Sequence, residues 1–304
     1  MRIFITGASG YIGSAVSAAL ARADHEVLGL VRSESKAHRA AGAEVRPVIG
    51  SMQEPERWID EARACEVIVH CAAEYSPQVW DLDSRTAEAL LAAAYETRRP
   101  RLFVYTSGVW VYGSTGGRMV TEATAPNPPA FAAPRLKNEE LVLRENRGTL
   151  RTLIVRPGCV YGGSGGLTGA WFDSAASAGA ARVVGDGRFR WAMVHLEDLA
   201  DLYRRAVESP WRGEIFNATD RSRFSVLECA MAASFAAGAG GKVQLVPFEE
   251  ASQQMGGYAE CLTLDQHVDS SHAVRLLGWQ PRHGGFVDGA ERYYAAWRAA
   301  HGRG

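Results

Sequence analysis

Short apolar runs of strand length recur along the first half of the chain, at residues 3–6, 26–31, 43–48, 67–71, 102–106 and 150–155. Most are nearly continuous rather than alternating with polar residues, the pattern of strands buried on both faces of a parallel sheet. Between them, stretches at 14–22, 54–63, 86–97 and 136–145 carry apolar positions at helical spacing. Strand and helix alternating in this way predict an α/β fold, a doubly wound parallel sheet covered by helices on both faces. After Arg156 the pattern changes to a Gly-rich loop at 161–169, Ala-rich helical segments, short strands and a final helix near 287–298. That texture predicts a smaller C-terminal unit interleaved with the sheet. The expected division is 1–157 plus about 192–219 for the sheet domain, and about 158–191 plus 220–304 for the smaller one.

The first strand runs straight into Gly7, Gly10 and Gly13. In a strand–turn–helix unit the first glycine permits a tight turn and the second lets the backbone approach a pyrophosphate. The third lets the helix pack close to the sheet. Phosphate would then sit on the helix N-terminus, against the backbone of Ser9, Tyr11 and Ile12. The spacing differs from the G-x-G-x-x-G fingerprint. It is the position, after the first strand and before an Ala-rich helix, that gives this triplet its meaning.

Composition narrows the class. Of 304 residues, 47% are hydrophobic and 22% charged, with a formal net charge of −1, so neither nucleic acid nor a membrane surface is an expected partner. No stretch is apolar for long enough to span a bilayer. Arg2 is followed by only three apolar residues before the glycine turn, which is not the pattern of a signal peptide, and a cytoplasmic location is expected. The five cysteines, Cys65, Cys71, Cys159, Cys229 and Cys261, are scattered without a C-x-x-C pair. Free thiols in a reducing compartment and no metal site are expected.

Four further segments follow the glycine turn in order: VIVHCAAEYS at 67–76, YTSGVWVYG at 105–113, RPGCVYG at 156–162 and VHLEDLADLY at 194–203. Together they resemble the extended short-chain dehydrogenase/reductase superfamily, of the NAD-dependent epimerase/dehydratase type. DQHVDSSHAVRLLGWQPR at 265–282 looks like that family's C-terminal region, so the resemblance spans nearly the whole chain. It implies a Rossmann domain with its cofactor at the carboxyl edge of the sheet, a smaller domain that binds a small-molecule substrate, and a homodimer formed through the helices at about 79–97 and 136–145. On the family's pattern Cys71, Ala72 and Ala73 let the backbone run beside the cofactor, joined by Thr106, Pro157 and Val160 from the later motifs. Ser51 and Met52 occupy the place where relatives have an Asp contacting adenine. Arg32 stands where NAD-selective relatives carry Asp or Glu to hold the ribose hydroxyls. A guanidinium there attracts a 2′-phosphate, and Arg32, Ser33 and Lys36 form a candidate clamp, so NADP(H) is expected in preference to NAD(H).

The catalytic pattern departs from that family. The Ser or Thr expected four residues before Tyr112 is Gly108, with Ser107 just before it. Aligning NEELVL places Phe131 at the Tyr and Arg135 at the Lys of the family's Tyr-x-x-x-Lys pair, while sliding two residues to use Lys137 sets Ala133 opposite the Tyr. Phe131 cannot transfer a proton, and losing positioned acid–base help costs roughly 10²–10⁴ in rate. The remaining candidates are Arg135, which would polarise or anchor a substrate oxygen, Ser107, which a one-residue shift on a strand would turn to the opposite face, and the phenols of Tyr112 and Tyr161. Glu74, Tyr75, Trp110, Phe172 and Trp191 are expected to line the substrate pocket. His195 is expected to be a hydrogen-bonded structural residue, and Asp198 to cap its helix. The reading is an NADPH-dependent oxidoreductase that reduces a carbonyl or related group on a small organic substrate. Its alternatives are a cofactor-retaining epimerase, isomerase or dehydratase, and a non-catalytic NADP(H)-binding sensor.

Overall fold

The computed structural model describes residues 1–74, 78–96, 99 and 101–302. Its centre is a seven-stranded sheet in which every pairing is parallel. In chain order its first five strands are β1 (Arg2–Thr6), β2 (Glu26–Val31), β3 (Arg46–Ile49), β4 (Val67–His70) and β5 (Arg101–Thr106). The sheet is completed by β7 (Leu150–Pro157) and β11 (Glu214–Ala218), while β6 (Met119–Val120), β8 (Cys159–Tyr161), β9 (Ala181–Val184) and β10 (Met193–His195) pair outside it. The sheet order is β11-β7-β5-β4-β1-β2-β3, so the chain winds outward from β1 in one direction, returns, and winds outward in the other. β11 extends the sheet beyond the six strands expected, because its short polar-ended stretch EIFNA carries little strand signal of its own.

Successive strand residues face opposite sides, and the core divides accordingly. Ile3 and Ile5 join Val16 and Leu20 of helix α1 (Tyr11–Arg22) in one cluster. Phe4, between them in sequence, joins Trp58, Leu90 and Val142 on the other face. That second layer is built by α3 (Ile59–Arg63), α4 (Val79–Glu96) and α5 (Pro134–Arg144), while α2 (Glu34–Ala41) follows β2. The helix expected over 54–63 is broken at Trp58, whose ring stacks on Phe4 at 5.5 Å and whose indole N–H donates to the Ser51 carbonyl at 2.7 Å. The helix expected over 86–97 begins seven residues earlier, and residue 97 lies outside the described residues.

A separate aromatic core forms beyond Pro157. There β8 pairs with β10, and α6 (Gly169–Ala178) packs with β9 and the helix Val226–Ala236 around Trp171, Phe172 and Phe286. Between β10 and β11, helix α7 (Leu196–Glu208) returns to pack on α1, bringing Leu199, Leu202 and Tyr203 into the first cluster. No helix among the described residues is long and apolar enough to cross a membrane. All five cysteines are free.

Candidate active site

The carboxyl ends of the central strands open onto a cavity of about 620 Å³, within the range of small-molecule sites. The glycine turn forms one wall, and its three glycines differ in what they exclude. Gly7 has a φ of +73°, and a Cβ there would stand 2.8 Å from the Ala72 backbone. A Cβ on Gly13 would meet the Gly7 carbonyl at 2.1 Å, so α1 can lie against the turn only without one. Among the described residues a Cβ on Gly10 would meet only the Gly7 carbonyl, at 3.1 Å, and Gly10 lines the cavity. Gly10 is also the N-cap of α1 and supplies no capping side chain. The first-turn amides of a helix have no intrahelical acceptor, and here Tyr11, Ile12 and Gly13 lie in the cavity wall. An uncapped helix N-terminus opening onto a cavity fits a dinucleotide pyrophosphate.

Around this turn the cavity gathers most of the residues expected to hold a cofactor. Ser9, Arg32, Lys36, Met52, Cys71, Ala72, Ala73, Thr106, Pro157 and Val160 all line it. Ser33 and Ser51 do not. Ser33 instead caps α2, its hydroxyl accepting from the Lys36 amide at 3.4 Å, and the Ser51 hydroxyl accepts from the Gln53 amide at 3.2 Å. Thr106 is fixed from behind by the Tyr203 phenol at 2.6 Å. Burial pushes the neighbouring Cys71 thiol up to about 11, so it stays protonated at neutral pH.

Further along the wall stand Ser107, Gly108, Val109, Trp110 and Arg135. β5 ends at Thr106, so the strand alternation expected to turn Ser107 away no longer applies one residue later. The Ser107 hydroxyl is buried and has no hydrogen-bond partner among the described residues. Arg135, on the first turn of α5, donates to the Thr106 carbonyl at 2.8 Å and lies 5.0 Å over the Trp80 ring. Behind it a buried network joins Thr6, His70, Asp83, Tyr105 and Asn138. His70 Nδ1 contacts the Thr6 hydroxyl at 2.6 Å, and its Nε2 contacts Asp83 at 3.0 Å. Tyr105 and Asn138 both donate to the other Asp83 oxygen. Burial works against the Asp83 charge, but the hydrogen bond and charge of His70 and the nearby Arg135 hold its carboxyl below the usual range.

Comparison with known proteins agrees with this geometry. Residues 3–219 match the NAD dependent epimerase/dehydratase family. The chain belongs to that family. It is 31% identical over 295 residues to an uncharacterized protein of Schizosaccharomyces pombe, covering 93% of this chain and 96% of that one. It is also 30% identical over 300 residues to the 2′-dehydrokanamycin reductase of Streptomyces kanamyceticus, covering 94% and 81%. In structure it is similar to the dTDP-glucose 4,6-dehydratase DesIV of Streptomyces venezuelae, solved with NAD and TYD bound. The TM-score is 0.84 at 22% identity, over 100% of this chain and 98% of that one. The family is described as NAD dependent, and the chain's relatives include, besides that reductase, the UDP-glucose 4-epimerase of Mycolicibacterium smegmatis, 26% identical over 305 residues and covering 93% of this chain and 94% of that one.

Within this epimerase/dehydratase framework, several expected site residues lie elsewhere. Tyr112 is buried outside the cavity, donating to Asn217 Oδ1 at 2.8 Å and accepting from Arg156 at 2.7 Å. Arg156 is in turn held by a buried ion pair with Glu139. Tyr161 is fully buried against His195, Phe286 and Tyr293, and burial with the Asp220 carboxylate pushes its phenol far above the usual range. Neither phenol reaches the cavity, so neither is placed to donate a proton there. Phe172 and Trp191 are core residues, Trp191 stacking on Trp171 at 5.1 Å. Tyr75 lies outside the described residues. Glu74 does line the cavity, but with the cofactor-side residues, 3.7 Å from Arg32.

His195 is structural, as expected, and it rather than Asp198 caps α7, its Nδ1 accepting from the Glu197 amide at 3.2 Å. Asp198 instead accepts from the His283 amide and ring, tying down the C-terminal segment. His195, Glu197 and His283 bring potential ligand atoms within 4.8 Å of one another. Since Nδ1 accepts that amide, the neutral His195 ring carries its proton on Nε2 and offers a metal no lone pair.

Sequence reasoning missed Tyr258. It lines the cavity from a short helix, Tyr258–Cys261, and packs edge-on against both Phe131 and Trp110. No motif marks it, because it arrives from a segment more than a hundred residues distant. Gly158 was missed inside a quoted motif. A Cβ there would meet the Ala192 carbonyl at 2.6 Å, so its glycine is set by backbone packing.

Proposed function

We propose that this chain is an NADPH-dependent reductase of a carbonyl or related group on a small organic substrate. One observation carries the reading. A single cavity joins the uncapped N-terminus of α1 and the cations after β2 to the buried, unpartnered Ser107 hydroxyl and Arg135 after β5. Between β2 and β5 the sheet runs across β1 and β4, three strand spacings or about 14 Å. An extended dinucleotide bridges such a distance. The α1 amides would hold its pyrophosphate, Arg32 and Lys36 its 2′-phosphate, and the backbone of Ala72 and Ala73 would run beside it.

The cofactor supplies hydride at its nicotinamide when bound. Arg135, held by the Thr106 carbonyl and the Trp80 face, orients and polarises the substrate oxygen. Ser107 donates a hydrogen bond to that same oxygen. Phe131 cannot supply the proton that completes the reduction, and Tyr258, packed on Phe131, brings into the wall a phenol that can deliver it to the substrate oxygen. The elements of about 158–191 and 220–304 act as the substrate domain, contributing Leu167 and Tyr258 to the cavity. A reductase among the relatives supports this reading.

The test is NADPH oxidation across a panel of aldehydes and ketones, with Arg135→Ala and Ser107→Ala beside the wild type. We expect turnover of at least one carbonyl compound, and a loss of kcat/KM of roughly 10²-fold on removing Arg135. Nucleotide binding without turnover of any compound would favour a non-catalytic sensor.

A further inference from the structure

Glu74 follows β4 and Arg32 follows β2, with β1 between them in the sheet. Across that strand the Glu74 carboxylate and the Arg32 guanidinium approach to 3.7 Å. Both line the cavity on its cofactor side, next to the glycine turn. They are unequally placed, with the Arg32 side chain 71% exposed and that of Glu74 28%.

We infer that Glu74 is a cofactor-selectivity residue, its carboxylate opposing a 2′-phosphate and accepting from a ribose hydroxyl. The inference rests on the reading that the cavity takes a nicotinamide dinucleotide with Arg32 at the adenosine end. In the free protein one guanidinium nitrogen of Arg32 stands 3.7 Å from a carboxylate oxygen of Glu74. A 2′-phosphate recruiting Arg32 must displace that carboxylate and then sit beside it, like charge against like charge in a partly desolvated wall. A 2′-hydroxyl meets the opposite situation. It is a donor, and a carboxylate is an acceptor with lone pairs to spare.

Dinucleotide folds ordinarily make this discrimination with one side chain at the end of β2, acidic for a ribose hydroxyl or basic for a phosphate. Here the two chemistries are divided between strands, the cation after β2 and the anion after β4. Glu74 therefore narrows the preference for NADP(H) that Arg32 alone would create. It also gives the non-phosphorylated cofactor a partner that the Arg at position 32 removed.

The test is calorimetric titration of the full chain with NADP⁺ and NAD⁺, for the wild type, Glu74→Gln, Glu74→Ala and Arg32→Ala. The readout is the ratio of the two dissociation constants on each preparation, which a misfolded fraction does not alter. Glu74→Gln and Glu74→Ala are expected to tighten NADP⁺ and weaken NAD⁺, moving the ratio by about 10-fold. Arg32→Ala is expected to move it the other way. A ratio unchanged by both Glu74 variants, with Arg32→Ala still weakening NADP⁺, overturns the inference and leaves the cofactor reading standing. A wild-type chain that binds neither nucleotide overturns both.

Discussion

Adding one methyl group at Gly13 or at Gly10 should separate the two functions of the glycine turn. At Gly13 the new Cβ would lie 2.1 Å from the Gly7 carbonyl oxygen and 2.7 Å from its carbon. Both neighbours are backbone, so no side chain can swing away, and α1 must retreat from the turn by about 1 Å. Overpacking of this kind costs about 1–3 kcal/mol, which lowers the melting midpoint of a chain this size by roughly 2–10 °C. A 1 Å displacement of the anion-binding amides should also cost about one hydrogen bond to a charged group, roughly 1.5–3 kcal/mol, weakening NADPH about 10- to 10²-fold. At Gly10 the close atom among the described residues is the Gly7 carbonyl oxygen at 3.1 Å, and φ −79°, ψ 176° is open to any residue. Gly10→Ala should therefore cost less than about 1 kcal/mol, the scale of an N-cap change. Its methyl nevertheless stands where the pyrophosphate must approach, so binding should still be lost. Thermal unfolding and calorimetry on the two variants read both quantities. If Gly10→Ala bound NADPH like the wild type, the pyrophosphate would not lie on this turn. A Gly13→Ala protein as stable as the wild type would refute the packing argument.

Three further outcomes are expected. Tyr112→Phe removes the hydroxyl shared by Arg156 and Asn217, so urea denaturation should show a loss of about 1–3 kcal/mol with NADPH affinity unchanged; weakened NADPH binding would return Tyr112 to the site. Burial and the neighbouring His283 push His195 down to about 4 from an ordinary 6.5, so the unfolded chain takes up a proton there that the folded chain refuses. Stability should fall as pH drops from about 6.5 to about 4, by up to about 3 kcal/mol, and His195→Asn, which keeps a capping acceptor, should flatten that limb; an identical pH profile would refute the assignment. Glu139→Gln leaves the Arg156 charge buried without its partner, and denaturant unfolding should register a loss of about 3–5 kcal/mol, while a loss below about 1 kcal/mol would show the pair to be dispensable.

The sheet was legible because parallel strands buried on both faces must be continuously apolar, and the glycine turn because its position after β1 admits one reading. The cavity wall expected to hold a cofactor followed from motifs that sit at strand ends, where the chain has little freedom to place them elsewhere. The substrate half was less legible. V-Y-G segments say that a tyrosine is present but not which way it faces, and here Tyr112 turns inward to Asn217 and Arg156 while Tyr161 turns into an aromatic core. Phe172 and Trp191 were drawn into a core because burying large rings there outweighs lining a wet pocket. Ser107 faces the cavity for a local reason, since alternation holds only while the strand continues, and β5 stops one residue short of it. Tyr258 reaches the cavity by long-range packing, which no local pattern encodes.

The most direct test of the account is calorimetric titration of the purified wild-type chain and Arg32→Ala with NADPH and NADH. The wild type should bind both, NADPH more tightly, and Arg32→Ala should lose the advantage for NADPH while keeping NADH. Equal or tighter binding of NADH by the wild type would contradict the phosphate clamp, and no binding of either would contradict the cofactor site itself.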